Sequence, residues 1–140
     1  MNAPLYTTEI LRLAASLDPP LRLDQASGRA ERRSPTCGSR VRTEIRIDEE
    51  GRVTALSQEV HACAFGQAAA AIVQRASIGR SAGDVAEARH AIEQWLAGTS
   101  ETPGDWDGLE ALSPARSRTS RHGAILLPFR ALAAALEDAR

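Results

Sequence analysis

The sequence predicts an α+β domain: a small antiparallel sheet of about three strands, covered on one face by helices, with a helix near each end of the chain. Three observations predict it. Arg40 to Ile47 alternates, with Val41, Ile45 and Ile47 opposite Arg40, Arg42, Glu44 and Arg46, which is the period of a half-buried strand. Arg52 to His61 resumes the alternation through Val53, Ala55, Leu56 and Val60 after the turn-forming Asp48-Glu49-Glu50-Gly51, so the two runs form a hairpin. From Ala64 onward the apolar residues recur at helical spacing instead.

Taken in order, Leu5 to Leu17 reads as a first helix with Leu5, Ile10, Leu13, Ala14 and Leu17 on a ragged apolar face. Asp18-Pro19-Pro20 ends it, because a proline disfavours helical geometry in the residue before it. Gly28 to Arg33 fits an edge strand. Beyond the hairpin, Ala64 to Ala76 places Ala68, Ala69, Ile72, Val73 and Ala76 on one stripe, and Ser77-Ile78-Gly79 stops it. Ser81 to Asp84 has capping-box spacing and opens a helix whose Val85, Ala88, Ile92, Trp95 and Leu96 face inward, with Gly98 as its stop. A loop, a short turn with Leu109 and Leu112, and the arginine-rich Ser113 to Arg121 follow. Ile125, Leu126, Phe129, Leu132 and Leu136 form a last stripe, and Pro128 within it predicts a helix that starts near Leu127 or kinks there.

Length and composition exclude several classes. With 140 residues the chain is expected to form one domain, 1–140, with one core. A net charge of −1 offers no broad cationic field for nucleic acid or an anionic membrane. No apolar run approaches the roughly 20 residues of a membrane span, and Glu9 interrupts anything like a leader. The expected compartment is the cytoplasm, where cysteines stay reduced and act as ligands or nucleophiles. All 17 basic residues are arginine; Arg116, Arg118 and Arg121 cluster locally and read as a solvated face. Trp95 and Trp106 read as core or rim.

The chemistry concentrates in two cysteines, the only ones in the chain. Cys37 lies in the turn-forming Ser34-Pro35-Thr36-Cys37-Gly38-Ser39. Cys63 lies where the second hairpin strand gives way to a helix, and a thiol at a helix start feels unsatisfied N–H groups that favour the thiolate. Because Cys37 precedes one hairpin strand and Cys63 follows the other, both sulfurs should sit at one edge of the sheet. Two thiols fall short of the four or so soft ligands of a stable zinc or iron–sulfur site. His122, at the start of the last helical segment, and His61, two residues before Cys63, are the candidates to complete it; His90 reads as plain surface. There is no phosphate loop, no zinc-protease helix, no nucleophile elbow and no Cys-x-x-Cys.

In these residues the chain resembles the iron–sulfur cluster assembly scaffold family (IscU-like, NifU N-terminal domain). Pro35-Thr36-Cys37-Gly38 matches the family's first cysteine motif, Cys63 the second, and Arg121-His122-Gly123-Ala124-Ile125-Leu126 with Phe129, Ala131 and Leu132 the third, over roughly Leu5 to Leu136. Ser39 stands where the family has an aspartate and Gly123 where it has its third cysteine. The resemblance implies a protein that is no enzyme by itself. It implies iron or a labile cluster bound through Cys37 and Cys63, with His122 as third ligand, and Cys63 as sulfur acceptor from a cysteine desulfurase. Recipient apo-proteins would be its other partners, and a small thiol, a partner or the second subunit of a homodimer could fill a remaining position. Two alternatives stay open: a diverged relative that only docks on partners, and a zinc protein using Cys37, Cys63, His122 and His61.

Overall fold

The computed structural model describes residues 6–35 and 38–140; Leu5 and Cys37 lie outside the described residues. Its elements run α1 (Thr8–Ala15), β1 (Gly28–Arg33), β2 (Arg40–Ile47), β3 (Val53–His61), α2 (Ala64–Ala76), α3 (Ala82–Leu96), two short 3₁₀ turns (Leu109–Ala115 and Thr119–Arg121) and α4 (His122–Asp138). The α+β expectation is met. The three strands form an antiparallel meander in the order β1-β2-β3.

The hairpin closes through Asp48, whose carboxylate accepts from the backbone N–H of Glu50 (2.9 Å) and of Arg52 (3.0 Å). Register pairs Arg40 with His61, Val41 with Val60 and Ile45 with Leu56, with an irregularity at Arg46/Ile47. Side chains alternate across a strand, so Val41, Thr43 and Ile45 share one face with Val60, Gln58 and Leu56. That face carries α2 and α4, whose buried Ala68, Ala69, Ile72, Ile125, Phe129 and Leu132 join Ile45 and Val53 in the main core. Gln58 ties sheet to helix by donating from Nε2 to the Ala70 carbonyl at 2.8 Å. The opposite face is charged, but Glu44 on it is buried at 5% exposure because Arg29 (3.1 Å) and Arg42 (3.6 Å) both close on its carboxylate.

Two glycines set how closely α4 packs. A Cβ on Gly28 would run into the Ala135 carbonyl, so only glycine lets β1 lie against the end of α4. A Cβ on Gly66, in the first turn of α2, would stand 2.6 Å from the Ala62 Cβ and 3.3 Å from the Ala124 carbonyl oxygen.

Of the two expectations for the last helix, the start near Leu127 is not met. The helix starts at His122, ahead of Leu127, and runs through Pro128 to Asp138. Proline has no N–H, so the Ala124 carbonyl loses its usual donor four residues on. Burial of ten residues from Ala124 to Leu136 stabilises the helix enough to carry that loss. The first helix is shorter than Leu5 to Leu17; Thr7 caps it, its hydroxyl accepting from the Ile10 N–H at 3.2 Å. Trp95 and Trp106 are buried, as expected, yet each carries an arginine: Arg116 lies 5.2 Å from the Trp95 ring centroid and Arg80 lies 5.3 Å from that of Trp106. Arg116 also donates to the Trp95 (3.0 Å) and Ser100 (3.2 Å) carbonyls, so it is no part of a solvated face. Among the described residues no helix is long and apolar enough to cross a membrane.

The capping box of α3 forms in both directions: Asp84 N–H donates to Ser81 Oγ at 3.2 Å and Ser81 N–H to Asp84 Oδ2 at 3.0 Å. The Ser81 N–H, with help from its hydroxyl, Arg52 and Arg80, holds the Asp84 carboxyl below the ordinary carboxylate range despite some burial. The stabilisation is therefore complete above the unfolded-state value and is lost as pH falls through the lowered folded-state value. In thermal melts from neutral pH into the acid range, Asp84→Asn should lower Tm at pH 7 and show a shallower acid dependence than the parent. Parallel acid profiles for the two proteins would contradict the role given to this carboxylate. Gly66→Val should destabilise the fold by about 1–3 kcal/mol in urea titration, the usual cost of forcing extra atoms into a packed contact.

Candidate functional site around Cys63

The antiparallel register brings the chain segments before β2 and after β3 side by side. Arg40 opposes His61, so Gly38 and Ser39 lie next to Ala62 and Cys63. The β1–β2 connection is pinned at the same end, with the Ser34 N–H donating to the Ser39 carbonyl (2.8 Å) and the Gly38 N–H to the Ser34 carbonyl (3.1 Å). Cys37 itself lies outside the described residues, but its neighbour Gly38 lines the same small cleft as Cys63. The cleft holds about 160 Å³ and is lined by Gly38, Ser39, His61, Ala62, Cys63, Ser120, Arg121 and Ala124.

Cys63 occupies the N-cap of α2 in extended geometry (φ −66°, ψ 173°), and its carbonyl accepts the first helical bond from the Gln67 N–H at 2.9 Å. Its thiol is free, half-buried, and makes no capping hydrogen bond. Gln67 fixes the approach to the helix by donating from Nε2 to the Ala62 carbonyl at 3.0 Å. The sulfur is thus held at a defined position and left available for chemistry.

His122, the first residue of α4, is half-buried, and its Nε2 lies 2.8 Å from the Ala115 carbonyl and 3.2 Å from the Arg116 carbonyl. Both neighbours are acceptors, so Nε2 carries a proton, and in a neutral ring the lone pair would then lie on Nδ1. Metal-binding histidines characteristically anchor their other ring nitrogen on a backbone carbonyl in this way. His122 does not line the cleft, although Arg121 and Ala124 on either side of it do. His61 does line it; its side chain is 55% exposed, with Nε2 3.5 Å from Glu59 Oε1. His90 is exposed on α3. Among the described residues, no three His, Cys, Asp or Glu side chains are grouped to hold a metal. Gly123 is the second residue of α4 and contributes no donor atom.

Sequence reasoning missed Ser120 and Arg121 as lining residues. The signal for Arg121 was its place beside His122, obscured by the apparent kinship with Arg116 and Arg118. Since the Cys63 thiol caps nothing, Cys63→Ser should change folding stability by no more than about 1 kcal/mol, a serine being a better N-cap than a cysteine. Urea denaturation checks this, and a larger loss would mean that the sulfur serves packing.

No family model matches the chain, and no curated protein matches its sequence. Solved structures do. The N-terminal part of a nitrogen-fixing NifU-like protein from Brucella abortus is 30% identical, with a TM-score of 0.88 over 96% of this chain and 93% of that one. A protein described as an iron–sulfur cluster assembly scaffold for the SUF system of Fervidobacterium islandicum is 20% identical, with a TM-score of 0.84 over 94% of this chain and 96% of that one. The second likeness shows the fold alone, whereas the first, at 30% identity over nearly the whole of both chains, shows the family: this chain belongs to the NifU N-terminal, IscU-like scaffold proteins.

Proposed function

We propose that the chain is an iron–sulfur cluster assembly protein that takes up iron and sulfur at the Cys63 end of the sheet and passes them on as cargo. The observation that carries this reading is the uncapped Cys63 thiol in a cleft shared with Gly38, the residue that follows Cys37. In this reading Cys37 and Cys63 bind the iron, and Cys63 accepts sulfane sulfur from a cysteine desulfurase. His122 is the third ligand through Nδ1, its orientation fixed by the Ala115 and Arg116 carbonyls. His61 stands at the cleft as a substitute donor. An open ligand position, where Gly123 supplies no side chain, suits a cargo that must leave for recipient apo-proteins; a partner's or a small molecule's thiolate, or a second subunit, would fill it. The protein acts as a carrier and the desulfurase supplies the catalysis. Scaffold function of this kind belongs in the cytoplasm.

The same Gly123 favours the second reading, a diverged relative that docks on assembly partners without holding a cluster. Zinc on Cys37, Cys63, His122 and His61 is the third, and the metal itself separates them.

Iron and acid-labile sulfide, measured after anaerobic reconstitution with ferrous iron and a desulfurase–cysteine sulfur source, test the proposal. The parent protein should retain both, and Cys37→Ser and Cys63→Ser should each lose most of them, with His122→Ala reduced severalfold. Zinc without sulfide would select the zinc reading. A folded parent that retains no metal would select the docking module and end the cluster proposal for this chain.

A further inference from the structure

A second cavity lies at the opposite end of the molecule from Cys63. The α2 helix starts beside the thiol, and its 13 residues, rising about 1.5 Å each, carry the chain roughly 20 Å away to Ala76. There the turn after α2, the hairpin exit at Arg52, α1 and the loop before the first 3₁₀ turn surround a cavity of about 700 Å³. It shares no lining residue with the Cys63 cleft.

Leu13, Ile72 and Ile78 give it an apolar side, and Ile78 is left exposed there. Three arginines and three aspartates also line it, of which Arg52 and Asp84 already meet at 3.4 Å. The other four charges have not closed on one another. Arg75, Asp105 and Asp107 are exposed and make no hydrogen bond or ion pair among the described residues. Arg80 is half-buried and anchored: its Nε donates to the Ala76 carbonyl at 3.1 Å, and its guanidinium lies 5.3 Å from the Trp106 ring centroid. Its two terminal nitrogens make no hydrogen bond among the described residues, so an oriented fork of N–H donors borders the cavity.

From this arrangement we infer that the cavity binds a short zwitterionic peptide. Its carboxylate is taken by Arg75 and Arg80, its ammonium by Asp105 and Asp107, and an apolar side chain lies against Leu13, Ile72 and Ile78. Charge balance selects this ligand. A simple anion gains two guanidinium groups but meets two unneutralised carboxylates, and a simple cation meets the reverse. A molecule carrying both signs satisfies all four groups. Arg80, already fixed at Nε and over a ring, loses little freedom on taking a carboxylate. The volume suits a ligand of drug size, hence two or three residues rather than one.

Calorimetric titration of the full chain with leucylglycylglycine tests the inference, alongside two forms that each lack one pole, the N-acetyl peptide and the C-terminal amide. The free peptide should bind one per chain, and removing either pole should weaken it about tenfold or more, the usual contribution of a charge-assisted hydrogen bond. Arg75→Gln should weaken the free and acetylated peptides and leave the amide little changed. The Asp105→Asn, Asp107→Asn double variant should weaken the free peptide and the amide and leave the acetylated form little changed. These three residues are exposed and unpartnered, so the variants keep the fold.

No saturable heat up to about 10 mM free peptide, or equal affinity for all three forms, would overturn the inference. So would an acetylated peptide that binds as well as the free one while the amide fails, which would make the cavity a plain carboxylate site. Affinity unchanged in both Arg75→Gln and the aspartate double variant would put the peptide elsewhere and overturn it as well. Cys63→Ser should bind the peptide like the parent, so this result and the cluster-loading result stand or fall separately.

Discussion

The close approach of α2 to α4 at Gly66 is the constraint on which the site depends. Pro128 deprives the Ala124 carbonyl of its helical donor, and Gly66, lacking a side chain, lets the first turn of α2 come up against that carbonyl. Any larger residue would hold the helices apart by pressing on Ala62 and Ala124 together. Because Cys63 stands three residues before Gly66, and Arg121 and His122 stand just before Ala124, this one contact brings the thiol and the start of α4 to the same end of the molecule.

The sheet supplies the other half of the site. An antiparallel meander returns the chain to where it started, so the connection before β2 and the exit of β3 become neighbours whatever the loops contain. The core then fixes the frame: Ile45 and Val53 from the sheet pack with Ile72, Phe129 and Leu132 from α2 and α4. The start of α2 carries Cys63 and the start of α4 carries His122, and the Cys63 thiol makes no capping hydrogen bond. His122 is oriented from behind by two carbonyls of the preceding turn. The carrier role proposed for the chain would use this combination, with donors held in place and one position open for release.

Much of this was legible in the sequence because strand and helix periods are local. The hairpin, the extent of α2 and the capping box of α3 follow from spacing alone, and the adjacency of the segments around Cys37 and Cys63 follows from the hairpin. What local spacing cannot report is compensation at a distance. Pro128 read as a helix start or a kink because the burial that outweighs its missing hydrogen bond comes from elements far away in the chain. Glu44 fell on the solvent face as expected, yet two arginines from β1 and β2 close over it. Gly66, an interruption in an alanine-rich helix, gave no hint of the backbone it would meet. Arg116 and Arg121 read as one charged cluster, but one is fastened over Trp95 and the other borders the thiol cleft. Cys37 lies outside the described residues, and what the hairpin shows is that its neighbour Gly38 lines the same cleft as Cys63.

The most direct test of the account is pulsed electron paramagnetic resonance on the reduced, reconstituted protein, read for nitrogen coupled to the iron. A cluster bound at the Cys63 end and reached by the start of α4 should show one histidine nitrogen coupling, lost in His122→Ala and retained in His61→Ala. A cluster that forms with no nitrogen coupling, or one whose coupling disappears with His61 and not with His122, would contradict the placement of α4 as part of the site.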